Sequence, residues 1–144
     1  MRYVLYAVLL YIILPFNIYV DLIAILIFYI AFNEDEKFVL LFSFYTGFLI
    51  DLYYPVVLGI NTLVYLILVQ ALLHIKKYII QSPMVTVAVF VAFYLTKIAI
   101  IHLALSSPPK MQPIIITIVL FFPIFMVFQK LIHNIWMRTQ KNSN

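Results

Sequence analysis

Long apolar stretches fill the chain, and short polar segments interrupt them. The first stretch covers residues 3–32 and is broken only by Pro15, Asn17 and Asp21. One helix of that length would measure about 45 Å, whereas the hydrocarbon core of a bilayer is roughly 30 Å thick. Because Pro15 disrupts a helix and Asn17 favours a turn, the pattern predicts a hairpin of two short helices, 3–14 and 18–32.

Four further apolar segments follow, each bounded by charged or proline-containing turns. The clearest boundaries are the polar run 33–37 and the turn 106–110. The predicted segments cover residues 38–54, 59–75, 84–105 and 113–136. Together with the hairpin they predict an all-α integral membrane protein, a bundle of six transmembrane helices in a single membrane domain, 1–144.

The composition excludes several classes of function. Hydrophobic residues make up 67% of the chain, against about 45–50% in soluble domains. With Gly 2 and Cys 0, the chain has neither a glycine-rich phosphate loop nor a thiol nucleophile or thiolate metal site. No histidine has a serine and a carboxylate near it in a triad pattern, so no enzyme activity, metal or cofactor is expected.

The positive charges predict the orientation of the chain, because Lys and Arg in short loops stay on the cytoplasmic side. With the N-terminus inside, Lys110 is the one positive residue outside and Lys97 lies within a span, so both termini are expected in the cytoplasm. Single scattered charges of this kind do not favour nucleic-acid binding. The inner positive residues are Arg2, Lys37, Lys76, Lys77, Lys130, Arg138 and Lys141.

Five of these inner residues form a candidate surface that we call the basic rim. Such a rim is suited to anionic membrane lipid or to an acidic segment of a partner, although the topology signal alone also explains it. Its members are Lys76, Lys77, Lys130, Arg138 and Lys141.

Two of the charged residues inside predicted spans form a candidate pair. Asp51 and Lys97 each lie 13 residues after the start of their segments, 38–54 and 84–105. Both helices are predicted to run from inside to outside, so the two charges should lie at the same depth. A charge alone in hydrocarbon costs about 2.5–3.5 kcal/mol. We therefore predict an Asp51–Lys97 ion pair, with a structural role favoured over a proton or ion relay.

Small and polar residues mark further candidate contacts. Ser43, Gly47 and Asp51 follow one another at intervals of four and share one face of the third helix, which favours close helix packing. In the outer half of the bundle, Asp21, Asn61 and His102 are candidates for lining a polar cavity. The simpler interpretation of Asp21 is a helix-start residue near the membrane surface.

The stretch from Gly47 to Tyr65 reads GFLIDLYYPVVLGINTLVY. It resembles MreD, the rod shape-determining membrane protein family of bacteria, whose signature is a Gly-x-x-x-Asp helix end, a short loop and a Gly-x-Asn helix start. Gly47, Asp51, Gly59 and Asn61 match this signature. The acidic loop 34–36 and Lys97 have no counterpart in that pattern.

The resemblance implies a non-enzymatic scaffold of the cell-elongation complex in the bacterial cytoplasmic membrane, which supports peptidoglycan synthesis and cell shape. The implied direct partner is MreC, with MreB and RodA with its transpeptidase in the same complex, and a homo-oligomer is compatible with the sequence. The MreD fold is similar to that of the S-components of energy-coupling-factor transporters. The alternative function is therefore a small-molecule (vitamin) binding subunit of a transporter.

Overall fold

The computed structural model describes residues 2–54, 57–79 and 82–141, with side chains described for residues 3–134 within those ranges. This part of the chain is helical and contains no strand. Each predicted segment overlaps one α-helix, and a 3₁₀ segment, Leu14–Ile18, follows the first helix. The helices are α1 (Arg2–Ile13), α2 (Leu22–Asn33), α3 (Glu36–Tyr53), α4 (Ile60–Lys76), α5 (Pro83–Leu105) and α6 (Met111–Lys141).

Two of the described helices are long and apolar enough to cross a membrane. They are α5, Pro83–Leu105, and the part of α6 from Met111 to Asn134. Ser82 begins α5 by accepting a hydrogen bond from the Val85 backbone N–H at 3.3 Å, and Pro83 occupies the first turn, where a missing N–H costs nothing.

Helix α2 forms the centre of the bundle. It contacts α1, α3, α4, α5 and α6, and residues 23–31 are all buried. Its twelve residues give a length of about 18 Å, too short to cross a bilayer alone. A helix that is apolar on every side suits this enclosed position, because the neighbouring helices cover its sides along residues 23–31.

The start of α2 corrects the predicted boundary at residue 18. Pro15 lies in the 3₁₀ segment, and the Asn17 side-chain oxygen accepts a hydrogen bond from the Ile23 N–H at 3.2 Å. Asp21 then caps α2 by accepting from the Ala24 N–H at 3.0 Å. The helix therefore begins at Leu22, which places Asp21 inside the bundle.

Stacked aromatic rings hold α5 and α6 against α2. The rings of Phe90 and Phe121 are nearly parallel, with centroids 3.8 Å apart. The edge of Phe28 meets both rings at 5.3 and 5.6 Å, an arrangement that aromatic pairs prefer. This contact fixes the positions of three helices around the core.

Candidate functional site

Asp51 holds the start of α4 from the end of α3. Its Oδ1 accepts hydrogen bonds from the Asn61 N–H at 3.0 Å and the Asn61 Nδ2 at 2.9 Å. Its Oδ2 accepts from the Gly59 N–H at 3.1 Å, the Thr62 N–H at 3.0 Å and the Thr62 hydroxyl at 2.7 Å. The residue is 1% exposed, so these donors replace water.

This arrangement provides hydrogen-bond acceptors for the first N–H groups of α4. The first N–H groups of a helix have no partner within the helix, and an adjacent side chain usually accepts from them. Gly59 stands at the N-cap of α4 and has no side chain, with a backbone φ of 93° that favours glycine. Asp51 supplies the missing acceptor, and its negative charge also suits the positive end of the α4 dipole.

Gly47 allows α3 and α4 to approach closely beside this cap. A Cβ atom at Gly47 would lie 2.5 Å from the Thr62 Cα and 2.8 Å from its N. Of all helix pairs described, α3 and α4 pack most extensively. We call the unit formed by Gly47, Asp51, Gly59, Asn61 and Thr62 the α3–α4 clasp.

Two residues of the predicted small-residue face of α3, Gly47 and Asp51, belong to this clasp, and Ser43 lies one turn before Gly47. Ser43, Gly47 and Asp51 are all buried. The Ser43 hydroxyl donates to the Leu40 carbonyl of its own helix at 2.9 Å, so Ser43 contributes small size rather than a bond to α4. Thr62 is the member of the clasp that the sequence analysis missed, although it directly follows the motif residue Asn61.

We expect Gly47→Ala to destabilise the protein by about 3 kcal/mol, because the new methyl group would push the α3 and α4 backbones apart. Gly59→Ala should cost only about 1 kcal/mol, since its Cβ would meet nothing within 4 Å and only the positive φ opposes it. Unfolding of the purified variants in a detergent titration measures both. Equal losses for the two variants would contradict the close approach at Gly47.

The predicted Asp51–Lys97 ion pair is wrong, because Lys97 has a different partner. Lys97 is 5% exposed and forms a salt bridge with Asp21. Its ammonium group also donates to the Tyr65 hydroxyl at 2.7 Å and lies 4.7 Å from the centre of that ring. The expected helix-start role of Asp21 is present, but its carboxylate also neutralises a buried lysine.

The incorrect pairing has a simple physical cause. Depth along a helix does not determine which side of that helix a residue occupies, and the unpaired donors of α4 take both oxygens of Asp51. Asp21, by contrast, caps α2 with its Oδ1, and its Oδ2 meets the Lys97 ammonium group. Both effects favour Asp21 as the partner of Lys97.

Four helices meet at this buried pair. The Asp21 N–H donates to the Thr117 hydroxyl at 3.0 Å, and that hydroxyl donates to the Pro113 carbonyl at 2.7 Å. Asp21, Tyr65, Lys97 and Thr117, which we call the Asp21–Lys97 cluster, therefore connect α2, α4, α5 and α6. The sequence offered no signal for Tyr65 or Thr117, since hydroxyl groups in apolar helices are common in every role.

A cavity of about 470 Å³ lies beside the Asp21–Lys97 cluster. Asp21 and His102 line it together, as the sequence analysis expected, whereas Asn61 belongs to the α3–α4 clasp. The His102 Nδ1 lies 3.0 Å from both the Ser107 carbonyl oxygen and the Ser107 hydroxyl. The lining residues are Asn17, Ile18, Asp21, Tyr94, Ile98, His102, Ser107, Pro108, Lys110, Pro113 and Ile114.

The basic rim is only partly a free surface. The Lys76 ammonium donates to the Ala31 carbonyl at 2.8 Å, near the C-terminal end of α2, where a cation is favoured. Lys77 forms an exposed ion pair with Glu36 at 3.2 Å. Lys130 is exposed, and the side chains of Arg138 and Lys141 lie outside the described residues.

No cluster of three or more potential metal ligands occurs among the described residues. Comparison of the chain with protein-family models, with curated proteins and with solved structures gives no match.

Proposed function

We propose that this chain is a non-enzymatic scaffold of the bacterial cell-elongation complex, as its resemblance to MreD implies. The observation that carries the proposal is the α3–α4 clasp. The four residues that match the MreD signature form one connected unit, in which Asp51 accepts hydrogen bonds from Gly59 and Asn61 while Gly47 permits the approach. A motif used entirely for helix packing suits a protein that presents rigid helix faces to its partners.

The scaffold is proposed to span the cytoplasmic membrane six times, with both termini in the cytoplasm. In support, each outer helix exposes large apolar side chains, as lipid contact requires: Ile12 on α1, Phe44 on α3, Leu63 on α4, Leu103 on α5 and Val119 on α6. Topology reporters fused at residue 144 and within the loop 106–112 test this placement. We expect a cytoplasmic signal from the first and an external signal from the second, and the reverse pattern would contradict the orientation.

The proposed direct partner is MreC, with MreB and RodA with its transpeptidase in the same complex. Affinity purification of the tagged chain from bacterial membranes tests the partnership. We expect MreC to co-purify in clear excess over the amount retained by another multi-pass protein carrying the same tag. Recovery equal to that of the control protein would count against the proposal.

A second candidate function is the binding of a small vitamin, as in a transporter S-component. The cavity beside the Asp21–Lys97 cluster favours it, because polar residues, among them Asp21, His102 and Lys110, line it together with apolar residues. Equilibrium binding to the purified protein separates the two functions. Saturable vitamin binding at nanomolar concentration that His102→Ala abolishes and Leu63→Ala preserves would favour the transporter subunit.

A further inference from the structure

Two tyrosine hydroxyls form a hydrogen bond on the exposed side of the bundle. The hydroxyls of Tyr11 on α1 and Tyr45 on α3 are 2.8 Å apart, and the two residues are 57% and 39% exposed. Each lies nine residues after the start of its helix, about 14 Å along the axis. In the proposed membrane placement, this pair therefore faces the middle of the hydrocarbon layer.

The tyrosine pair leaves one donor unused. Two hydroxyl groups provide two O–H donors, and the bond between them uses one. Within the described part of the chain, no other hydrogen bond to either hydroxyl is present. A free O–H group facing hydrocarbon is unfavourable, whereas tyrosine hydroxyls at the membrane surface find water. The mid-depth position therefore favours an external acceptor.

The exposed residues around the pair have the spacing of a helix-packing seam. On each helix, a subset of the exposed residues at intervals of four and three forms one stripe, the pattern by which helices pack along their length. The two stripes run side by side with the tyrosines within them. They consist of Val4, Val8 and Tyr11 on α1, and of Leu41, Tyr45, Phe48 and Leu52 on α3.

We propose that this α1–α3 face binds a second copy of the same chain across a twofold axis along the membrane normal. Two copies with the same topology in the membrane can be related only by a twofold axis along the membrane normal. Each residue therefore faces the partner copy at the same depth in the membrane. The tyrosine pair then meets the partner's tyrosine pair. Each tyrosine pair offers one free O–H donor and free acceptor lone pairs, so each pair donates one hydrogen bond to the other.

The proposal rests on the membrane placement given above and goes beyond the scaffold function. Single-cysteine variants test it, because the chain has Cys 0. Under mild oxidation in native membranes, we expect Val8→Cys and Leu41→Cys to form disulfide-linked dimers at least fivefold more than Leu63→Cys, an exposed control on α4. Equal yields at the three positions, or cross-links only to other proteins, would overturn the proposal.

The hydroxyl groups are tested separately in the Val8→Cys background. Tyr11→Phe with Tyr45→Phe removes both hydroxyls and keeps the rings, so folding should be retained. Loss of two interhelical hydrogen bonds should lower the dimer yield roughly sevenfold. An unchanged yield would contradict the role assigned to the tyrosine pair.

Reaction with a membrane-impermeant maleimide distinguishes failure of the dimer from failure of the membrane placement. If cysteines at positions 8 and 63 are protected in intact membranes and no dimer forms, the dimer alone is wrong. If both react readily, the membrane placement is wrong and the dimer proposal fails with it.

Discussion

Asp51→Asn is expected to destabilise the protein nearly as much as Asp51→Ala. Alanine leaves the buried donors of Gly59, Asn61 and Thr62 without an acceptor, and each unsatisfied group costs about 1–3 kcal/mol. Asparagine keeps the shape but replaces one oxygen with an NH₂ group, which meets other donors whichever way the amide is turned. We expect a loss of about 3–5 kcal/mol for both variants.

The amount of folded protein extracted from membranes and its unfolding in a detergent titration measure this loss. Asp35→Asn is a matched control, because Asp35 stands at the N-cap of α3 but is exposed and makes no side-chain capping bond. The control should retain wild-type stability. A stable Asp51→Asn variant would contradict the requirement for two acceptor oxygens.

Breaking the Asp21–Lys97 pair is the second large expected effect. Removing one partner of a buried ion pair typically costs about 3–5 kcal/mol, since the other charge stays buried and uncompensated. Asp21→Asn should be more damaging than Lys97→Met. Without Asp21, the lysine keeps the Tyr65 hydroxyl and the nearby tyrosine rings but has no negative charge beside it, whereas Asp21 without the lysine still caps α2 and borders the cavity.

The double variant Asp21→Asn with Lys97→Met should recover most of the folded yield, because no uncompensated charge is left. Folded yields of the two single variants and the double variant in the same membranes provide the test. Losses that add in the double variant would argue that the two residues act independently. Asp51→Asn with Lys97→Met serves as the control pair and should show no recovery.

The apolar pattern was sufficient to predict the helices, but not every boundary. In the described part of the chain, six α-helices occur where the sequence predicts six segments, because uninterrupted apolar runs and proline-marked turns are local signals. The start of α2 at Leu22 was not predicted, since it depends on Asn17 and Asp21 accepting hydrogen bonds from the backbone beyond them. Such capping choices depend on which side chains lie within reach in the folded bundle.

The sequence predicts most residues of the candidate site, but not the contacts that they make with one another. The resemblance to the MreD signature brings Asp51, Gly59 and Asn61 together, but their joint role as a helix cap requires the two helices to be in contact. The sequence correctly indicates that Lys97 is a buried charge that needs an acidic partner, but it points to Asp51 instead of Asp21. Depth follows from counting residues, whereas the side of the helix on which a partner lies follows from the packing of the whole bundle.

Cell shape after depletion of the chain tests the central claim most directly. The measurement is the ratio of cell length to width in a rod-shaped bacterium, as expression of the protein is shut off and then restored from a second copy. A scaffold of the elongation complex predicts that rods become round as the protein disappears and recover with the wild-type chain. Rods of unchanged shape after complete depletion would contradict the proposed function.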